Sequence, residues 1–481
     1  MPRRRRLESR RRRTPKIQYI ILGCMALFLT FYAFAFYSII GSEFKQRDIK
    51  TEKVDNPVVP EQPSLPIIKP VAKEPAGVTV GFAVTITGCG KDPITEGAAV
   101  LKHSIHLASI HGKIGGRYDY KMYAIYHPDG ETCAAPLKDL GYELLKRNTP
   151  VAVSDIQGDF LRENIEKNGC CGEKELVKLE AYTLTQHPVV VHLDLDVLVL
   201  KPLDALFDWM LVDPSDLETT YDVSEVPIMW PEMEKPQKPN AFFTRDCKYS
   251  NREIHQMFLL PFALSFSQVD AYPLYKDNMV APKRKYKPVQ GGFLVLRPDM
   301  EVYEEFVAII KQGDFRQRGG WGGLVGPFYG SMTFQGIIPY YYDILHKNEG
   351  VELSRCIVNQ MADNPKDKRT VNDIPQGRCR TDEEECEDCR NRPLEDVVTA
   401  HFTLCQKPWL CLPQNNDIIQ QRLCRKLHHE WHRIRTDLEK SWGRTGVGSG
   451  TYHQEHFYGH CKNLGKTGYI PIEQPYGDPR V

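Results

Sequence analysis

Asp194-Leu195-Asp196 closes an apolar, β-branched run, Val189-Val190-Val191-His192-Leu193. Such a run reads as a buried parallel strand. Two carboxylates at i and i+2 of an extended segment point the same way. At the carboxyl end of a strand in an open α/β sheet they face the crevice where such sheets bind ligands. Two unpaired carboxylates there repel each other, and a hard divalent cation is the usual remedy. The chemistry expected is a metal site that holds a phosphate-bearing ligand. A D-x-D triplet by itself is more often a pair of solvated turn carboxylates, so the rest of the site has to come from other segments.

The elements that would position it alternate. Val78 to Thr87 reads as a strand followed by a Gly-rich turn, and Ile94 to Ile110 as an amphipathic helix. Tyr120 to Tyr126 is a second strand. Tyr142 to Arg147 and Phe160 to Lys167 read as helices, with a short strand at Pro150 to Ser154 between them. Leu176 to Gln186 is a helix leading into the strand that ends in Asp194. This alternation predicts βαβ units and a mostly parallel sheet. Residues 211–288 read as an insertion. Gln290 to Leu296 is a strand, Met300 to Lys311 a helix, and the glycine-rich stretch Gly319 to Gly330 a mobile loop near a ligand. Thr333 to Leu345 is helical in pattern, Val397 to Phe402 is the last clear strand, and residues 413–440 form a basic helix. His428, His429, His432, His453, His456 and His460 read as surface residues despite their metal-like spacings.

The chain has 481 residues, formal net charge zero and 41% apolar residues, enough for a large core and with nothing that argues for nucleic acid. The zero hides an asymmetry. Arg3 to Arg6, Arg10 to Arg13 and Lys16 precede an uncharged, apolar stretch from Ile17 to Ser42. That stretch is long enough to cross a bilayer, and the basic flank should stay in the cytosol. A cleaved signal sequence is the other reading of the same residues. Residues 43–77 hold six prolines and few aromatics, which predicts an extended stem. Thirteen cysteines follow Cys24, and in an oxidising compartment most should pair, including Cys386 and Cys389, which are favoured as disulfide partners over zinc ligands. An odd number leaves at least one free or bonded between chains. No N-x-S/T sequon lies beyond the apolar stretch.

Four separated segments, VTIT, KLEAYTLTQHPVVVHLDLDVLVLKPLD, VQGGFLVLRPD and HFTLCQKPW, stand in that order. Together they resemble glycosyltransferase family 8, the glycogenin and galactinol synthase type of retaining enzyme with the GT-A fold, over roughly residues 78–410. The resemblance implies an α/β GT-A domain with a mostly parallel mixed sheet behind an N-terminal transmembrane helix. The domains expected are a cytoplasmic tail (1–16), a signal anchor (17–42), a stem (43–77), the GT-A domain (78–412, with insertions at about 211–288 and 365–395) and a C-terminal extension (413–481).

The resemblance also implies roles. Asp194, Asp196 and His401 would bind Mn²⁺ or Mg²⁺, and Lys407 would contact the diphosphate. Thr85 and Thr87 would lie along the nucleoside, with Leu195 beside it, and Lys178 would reach the nucleotide sugar. Gln290, Gly291 and Gly292 would line the sugar pocket. Gln335, with Asp196, would act in catalysis. Taken singly, His401 reads as a core histidine, Lys407 as a surface lysine, Trp409 as a packing residue and the glycine pair as a β-bulge. Three positions depart from the family pattern: Phe334 where relatives often carry an acid, Leu404 in place of Gly, and Gln290 in place of Asn. The activity expected is transfer of a hexose or related sugar from a UDP-sugar to a glycan or glycoconjugate, with retention. The alternatives are a catalytically silent lumenal binding protein with the same fold and an inverting GT-A enzyme. The partners expected are the donor, the acceptor, the membrane through one helix, and a second copy of the chain; the place expected is the Golgi membrane, or else the endoplasmic reticulum.

Overall fold

The computed structural model describes residues 76–91, 93–211, 238–245, 279–280, 288–362, 378–379, 389, 392–411, 423–444, 460–462, 467–473 and 476. The chain divides into two units, Met1–Pro70 and Val71–Val481, and every element and contact described belongs to the second. The predicted tail, membrane span and most of the stem lie outside the described residues, as do His453 and His456. Among the described residues no helix is long and apolar enough to cross a membrane.

A seven-stranded mixed sheet carries the site. Its strands are β1 (Thr79–Ile86), β2 (Asp119–Tyr126), β3 (Glu143–Lys146), β4 (Val190–Leu193), β6 (Ala241–Arg245), β7 (Val289–Leu296) and β8 (Gly350–Glu352). Between β4 and β6 in sequence lies β5 (Val197–Val199), outside this sheet. The spatial order is β8-β6-β7-β4-β1-β2-β3. Only β7 runs against its neighbours; every other pairing is parallel. The expected mostly parallel α/β sheet is therefore present.

Alternation along the strands builds two apolar layers. Val80, Phe82, Val84 and Ile86 of β1, with Phe293 and Val295 of β7, face α1 (Ile94–Ala108) and α2 (Asp204–Leu211). Ala83, Val190, Leu294 and Leu296 face the opposite layer, formed by the helical segment Gly172–Thr183, α3 (Met300–Gln312) and α4 (Phe334–Tyr340). Period-two side-chain alternation makes one strand serve both cores. Asp299 caps α3 by accepting from the Glu301 N–H at 2.7 Å, and Gly313, at φ 67°, ends it. A third cluster joins α5 (Leu423–Ser441) to the outer face of α1 through Leu427, Trp431, Ile434, Val100 and Leu107.

Several elements differ from expectation. Tyr142 to Arg147 contains a strand, not a helix: four residues are too few to bury a helical face, and Glu143–Lys146 instead extends the parallel ladder of β2. Pro150 to Ser154 is no strand: Pro150 has no N–H to give a ladder, and Val153–Asp155 forms a 3₁₀ turn. The helix expected at Leu176 begins earlier and is 3₁₀. Residues 211–288 are not wholly an insertion, because Ala241–Arg245, buried at every position, is an inner strand between β7 and β8. Gly319 to Gly330 is not a loose loop. Trp321 is fully buried and its indole N–H donates to the Ser331 carbonyl at 2.7 Å. The Thr333–Leu345 helix passes at Tyr341 into a π turn, next to Pro339, which cannot donate. His428 and His432 are buried because both faces of α5 are covered, and His460 is buried because it packs on α5, stacked on His432. Cys389 pairs with Cys356, in line with the disulfide reading of that segment, and Cys386 lies outside the described residues.

Candidate active site

β4 ends at Leu193, and the chain turns at once. The Val197 N–H donates back to the Asp194 carbonyl at 3.1 Å, so Asp194-Leu195-Asp196 forms a turn rather than the extended triplet expected. After the turn β5 pairs antiparallel with β9 (Thr399–His401), in the register His401 to Val197. The Phe402 N–H also donates to the Asp196 carbonyl at 2.9 Å. That register places an imidazole beside a carboxylate roughly two hundred residues earlier in sequence.

His401 Nε2 lies 3.3 Å from Asp196 Oδ1 and 3.8 Å from Asp194 Oδ2. One ligand atom from each of the three residues lies within 4.8 Å of the others. Two carboxylates and an imidazole form a donor set suited to Mn²⁺, and with less preference Mg²⁺. His401 is 1% exposed, and its Nδ1 has no hydrogen-bond partner among the described residues. Packing takes over the orienting task that a second hydrogen bond usually performs. A Cβ on Gly292 would overlap His401 Cε1, so only glycine leaves the imidazole its place. The residues present therefore fit a divalent cation.

Each carboxylate also faces a lysine. Lys178 Nζ is 2.9 Å from Asp194 Oδ1 and 3.1 Å from both Glu175 Oε2 and the Gly291 carbonyl. Lys407 ion-pairs Asp196. Burial opposes the charged form of Asp196, but His401 and Lys407 together outweigh it and hold the acid well below the usual carboxylate range. Burial opposes the charge of Lys178 too; Asp194 and Glu175 outweigh it and push its pKa up. His192, on β4 beneath the site, is pushed down to about 3 by burial and then by Lys178, so it is neutral at pH 7. Its Nε2 lies 2.8 Å from Thr85 Oγ1.

A cavity of about 510 Å³ opens over these groups. Thr85, Thr87, Lys178, Asp194, Leu195, Asp196, Lys407 and Trp409 all line it. Gly291 and Gln335 meet beside it: a Cβ on Gly291 would touch Gln335 Cγ and Lys178 Nζ, each at 3.4 Å. Gln290 lies lower. Its Oε1 accepts from the Gly292 N–H at 2.6 Å and from Asn359 Nδ2 at 3.3 Å. Phe334 is fully buried, with Lys178 Nζ 5.8 Å from its ring centroid and His192 packed against it. Thus every residue to which the resemblance assigns a role falls in or directly under one site.

Sequence reasoning missed Glu175 and the pair Asn359-Gln360. Glu175 meets Lys178 because 3₁₀ winding eclipses residues i and i+3. Asn359, at φ 54°, donates from its side chain to Thr244 Oγ1 at 2.8 Å, while its N–H takes Thr399 Oγ1 at 2.7 Å. The Gln360 carbonyl accepts the His401 N–H at 2.9 Å. Together they fix the strand that delivers His401. An asparagine tolerates left-handed backbone, but no periodicity marks it in the sequence.

No protein-family model and no curated protein matches the chain. Among solved structures it is similar to mouse xyloside xylosyltransferase 1 in its apo form, at 12% identity and TM-score 0.32, over 59% of this chain and 87% of that one. It is similar to apo WbbM, a bifunctional glycosyltransferase, at 12% identity and TM-score 0.36, over 76% of this chain and 50% of that one. It is also similar to the galactosyltransferase LgtC in complex with donor and acceptor sugar analogues, at 12% identity and TM-score 0.32, over 74% and 94%. These values define no family for this chain.

Proposed function

We propose that the protein is a retaining glycosyltransferase that moves a hexose or related sugar from a UDP-sugar to a glycan or glycoconjugate acceptor. The observation that carries this reading is the meeting of Asp194 and Asp196 with the buried His401, where both carboxylates line a cavity that Lys178 and Lys407 also line. Asp194, Asp196 and His401 would hold Mn²⁺ or Mg²⁺, which when bound neutralises charge on a diphosphate leaving group. Lys407 adds a point charge for the same oxygens. Lys178 fixes Asp194 and the Gly291 carbonyl, so the wall for the sugar is rigid. Gln335, beside Gly291, presents an amide rather than a carboxylate. That favours front-side attack, with the acceptor hydroxyl giving its proton to the leaving phosphate, over a covalent glycosyl-enzyme.

The substitution Asp196→Asn should cut UDP release by about 100-fold or more, the scale of losing a group that stabilises leaving-group charge. The measurement is UDP release from UDP-Glc, UDP-Gal, UDP-GlcNAc and UDP-Xyl; release at the parent rate would sink the metal assignment. The anomer of the product, read by NMR, tests retention.

A silent donor-binding protein is the second reading, and buried Phe334 is the observation in its favour. UDP-sugar binding with no turnover on any acceptor would establish it. We also propose that residues 17–42 anchor the protein as a type II membrane protein, with residues 43–481 in the Golgi lumen. The uncharged stretch behind the arginine clusters supports this, as do the disulfides Cys89–Cys133, Cys356–Cys389, Cys405–Cys424 and Cys411–Cys461, which belong to an oxidising compartment.

A further inference from the structure

Cys170 and Cys171 are adjacent in sequence and carry free thiols, with sulfurs 2.8 Å apart. They sit between Gly169 and Gly172, both left-handed at φ 69° and 62°, in a tight turn ahead of the 3₁₀ segment. A Cβ on Gly172 would strike the Glu166 carbonyl oxygen, so the turn depends on that glycine. Cys170 is exposed, and Cys171 lines the cavity described above.

Cys170 has a partner, Glu175, among the residues that line that cavity. The Cys170 thiol donates to Glu175 Oε1 at 3.0 Å; Glu175 Oε2 meets Lys178 Nζ at 3.1 Å; Lys178 meets Asp194 at 2.9 Å. A continuous chain of polar contacts thus links Cys170 to a candidate metal ligand. Thr87, which like Cys171 lines the cavity, acts on the Cys171 thiol.

We propose that Cys170 and Cys171 form a redox-active modification site that closes to a disulfide between neighbours by exchange with a small-molecule disulfide, and that closure alters the donor cavity. The step balances: two protein thiols and R–S–S–R give one Cys170–Cys171 bond and two R–SH. The Cys171 thiolate attacks one sulfur of the small disulfide and expels the first thiol; Cys170 then attacks the mixed disulfide and expels the second. When the single Cys170 proton turns from Glu175 to the Cys171 sulfur, the hydrogen bond lowers the Cys171 pKa against burial and makes Cys171 the better first nucleophile. Neighbouring Cα atoms are about 3.8 Å apart, closer than the usual minimum of about 4.4 Å for a disulfide, so this bond is readily reduced again. Closure removes the thiol proton that Cys170 gives to Glu175, and so loosens the Glu175–Lys178–Asp194 chain.

The effect on the donor rests on the transferase reading; the thiol chemistry does not. The test uses the full chain, equilibrated in glutathione buffers from fully reduced to fully oxidised, then alkylated with N-ethylmaleimide and digested. The peptide holding residues 170–171 should carry two maleimides in the reduced buffer and an internal disulfide in the oxidised one. UDP affinity with Mn²⁺, measured on the same samples, should fall about tenfold on oxidation, the low end for outer-shell partners of a metal site. Cys170→Ala should abolish ring closure and take up a single glutathione on Cys171. Two alkylatable thiols in oxidised glutathione, or glutathione on both sulfurs, would overturn the proposal. Ring closure with unchanged UDP affinity would overturn its coupling to the cavity. Ring closure in a protein that binds no UDP in either state would uphold the thiol chemistry and reject the transferase reading.

Discussion

Asp196 is held from three directions: His401 and Lys407 reach its carboxylate, and the Phe402 N–H takes its carbonyl. Its partner His401 packs directly on Gly292, where an added Cβ would overlap the imidazole Cε1. Gly292→Ala should therefore push the ring off its position without touching either lysine. Mn²⁺-dependent UDP affinity should fall about 10–100-fold, the range for residues that orient a metal ligand, while Lys407 still ion-pairs Asp196. Calorimetry with and without Mn²⁺ checks this; an unchanged affinity would mean that His401 is not a ligand. Lys178→Met leaves Glu175 and Asp194 facing each other at a largely buried position. It should cost about 3–5 kcal/mol of stability, as removing one member of a buried pair does. Urea unfolding reads that loss directly, and a change under 1 kcal/mol would contradict the network described (~1 kcal/mol being the scale of exposed pairs). At this scale the segments that meet were legible only together: singly, the D-x-D triplet, His401 and Lys407 read as turn, core and surface residues, and the order of the four motifs joined them. Glu175 and Asn359 stayed hidden because their roles depend on 3₁₀ winding and a left-handed backbone, which leave no pattern of residue types.

α5 shows how an element can mislead when read alone. Its histidines fall on a basic, strongly amphipathic segment and read as surface groups. In the structure α1 and β5 cover one face, and Tyr469 and His460 cover another. Burial lowers His428 to about 3 and His460 to about 2, and puts His432 well below its ordinary value. The sign follows from linkage. Each of these groups binds a proton in the unfolded chain below about pH 6.5 but stays neutral in the fold, so stability drops as pH falls. The loss is roughly 1.4 kcal/mol per pH unit per histidine once the unfolded state is protonated. Thermal melts should therefore show a flat Tm above pH 7 and a steep fall between pH 6 and 4.5, less steep in His432→Gln. A Tm independent of pH over that range would contradict the burial of α5. The strands β3 and β6 escaped detection for related reasons. Four residues of edge strand carry little periodicity, and β6 lies within a stretch whose flanking composition reads as irregular.

Across the whole molecule, the loop that bears Lys407 is clamped at both ends. Cys405–Cys424 ties its start to α5, and Cys411–Cys461 ties its end to the C-terminal segment. The clamp ties α5 to the loop that carries Lys407. Cys424→Ser opens a loop with a sequence separation of 19 residues and should cost about 3 kcal/mol. It should weaken UDP affinity more than it changes turnover at saturating donor, which steady-state kinetics separates. The N-terminal reading belongs to this scale as well: deleting residues 1–42 should move the protein from the membrane pellet to the soluble fraction. The central claim, that Asp194, Asp196 and His401 hold the cation that carries a UDP-sugar, is tested most directly by calorimetric titration of UDP into the protein with Mn²⁺, with EDTA, and in the Asp196→Asn variant. The result predicted is one UDP site per chain with Mn²⁺ and none in the other two conditions. Equal binding in all three would contradict it.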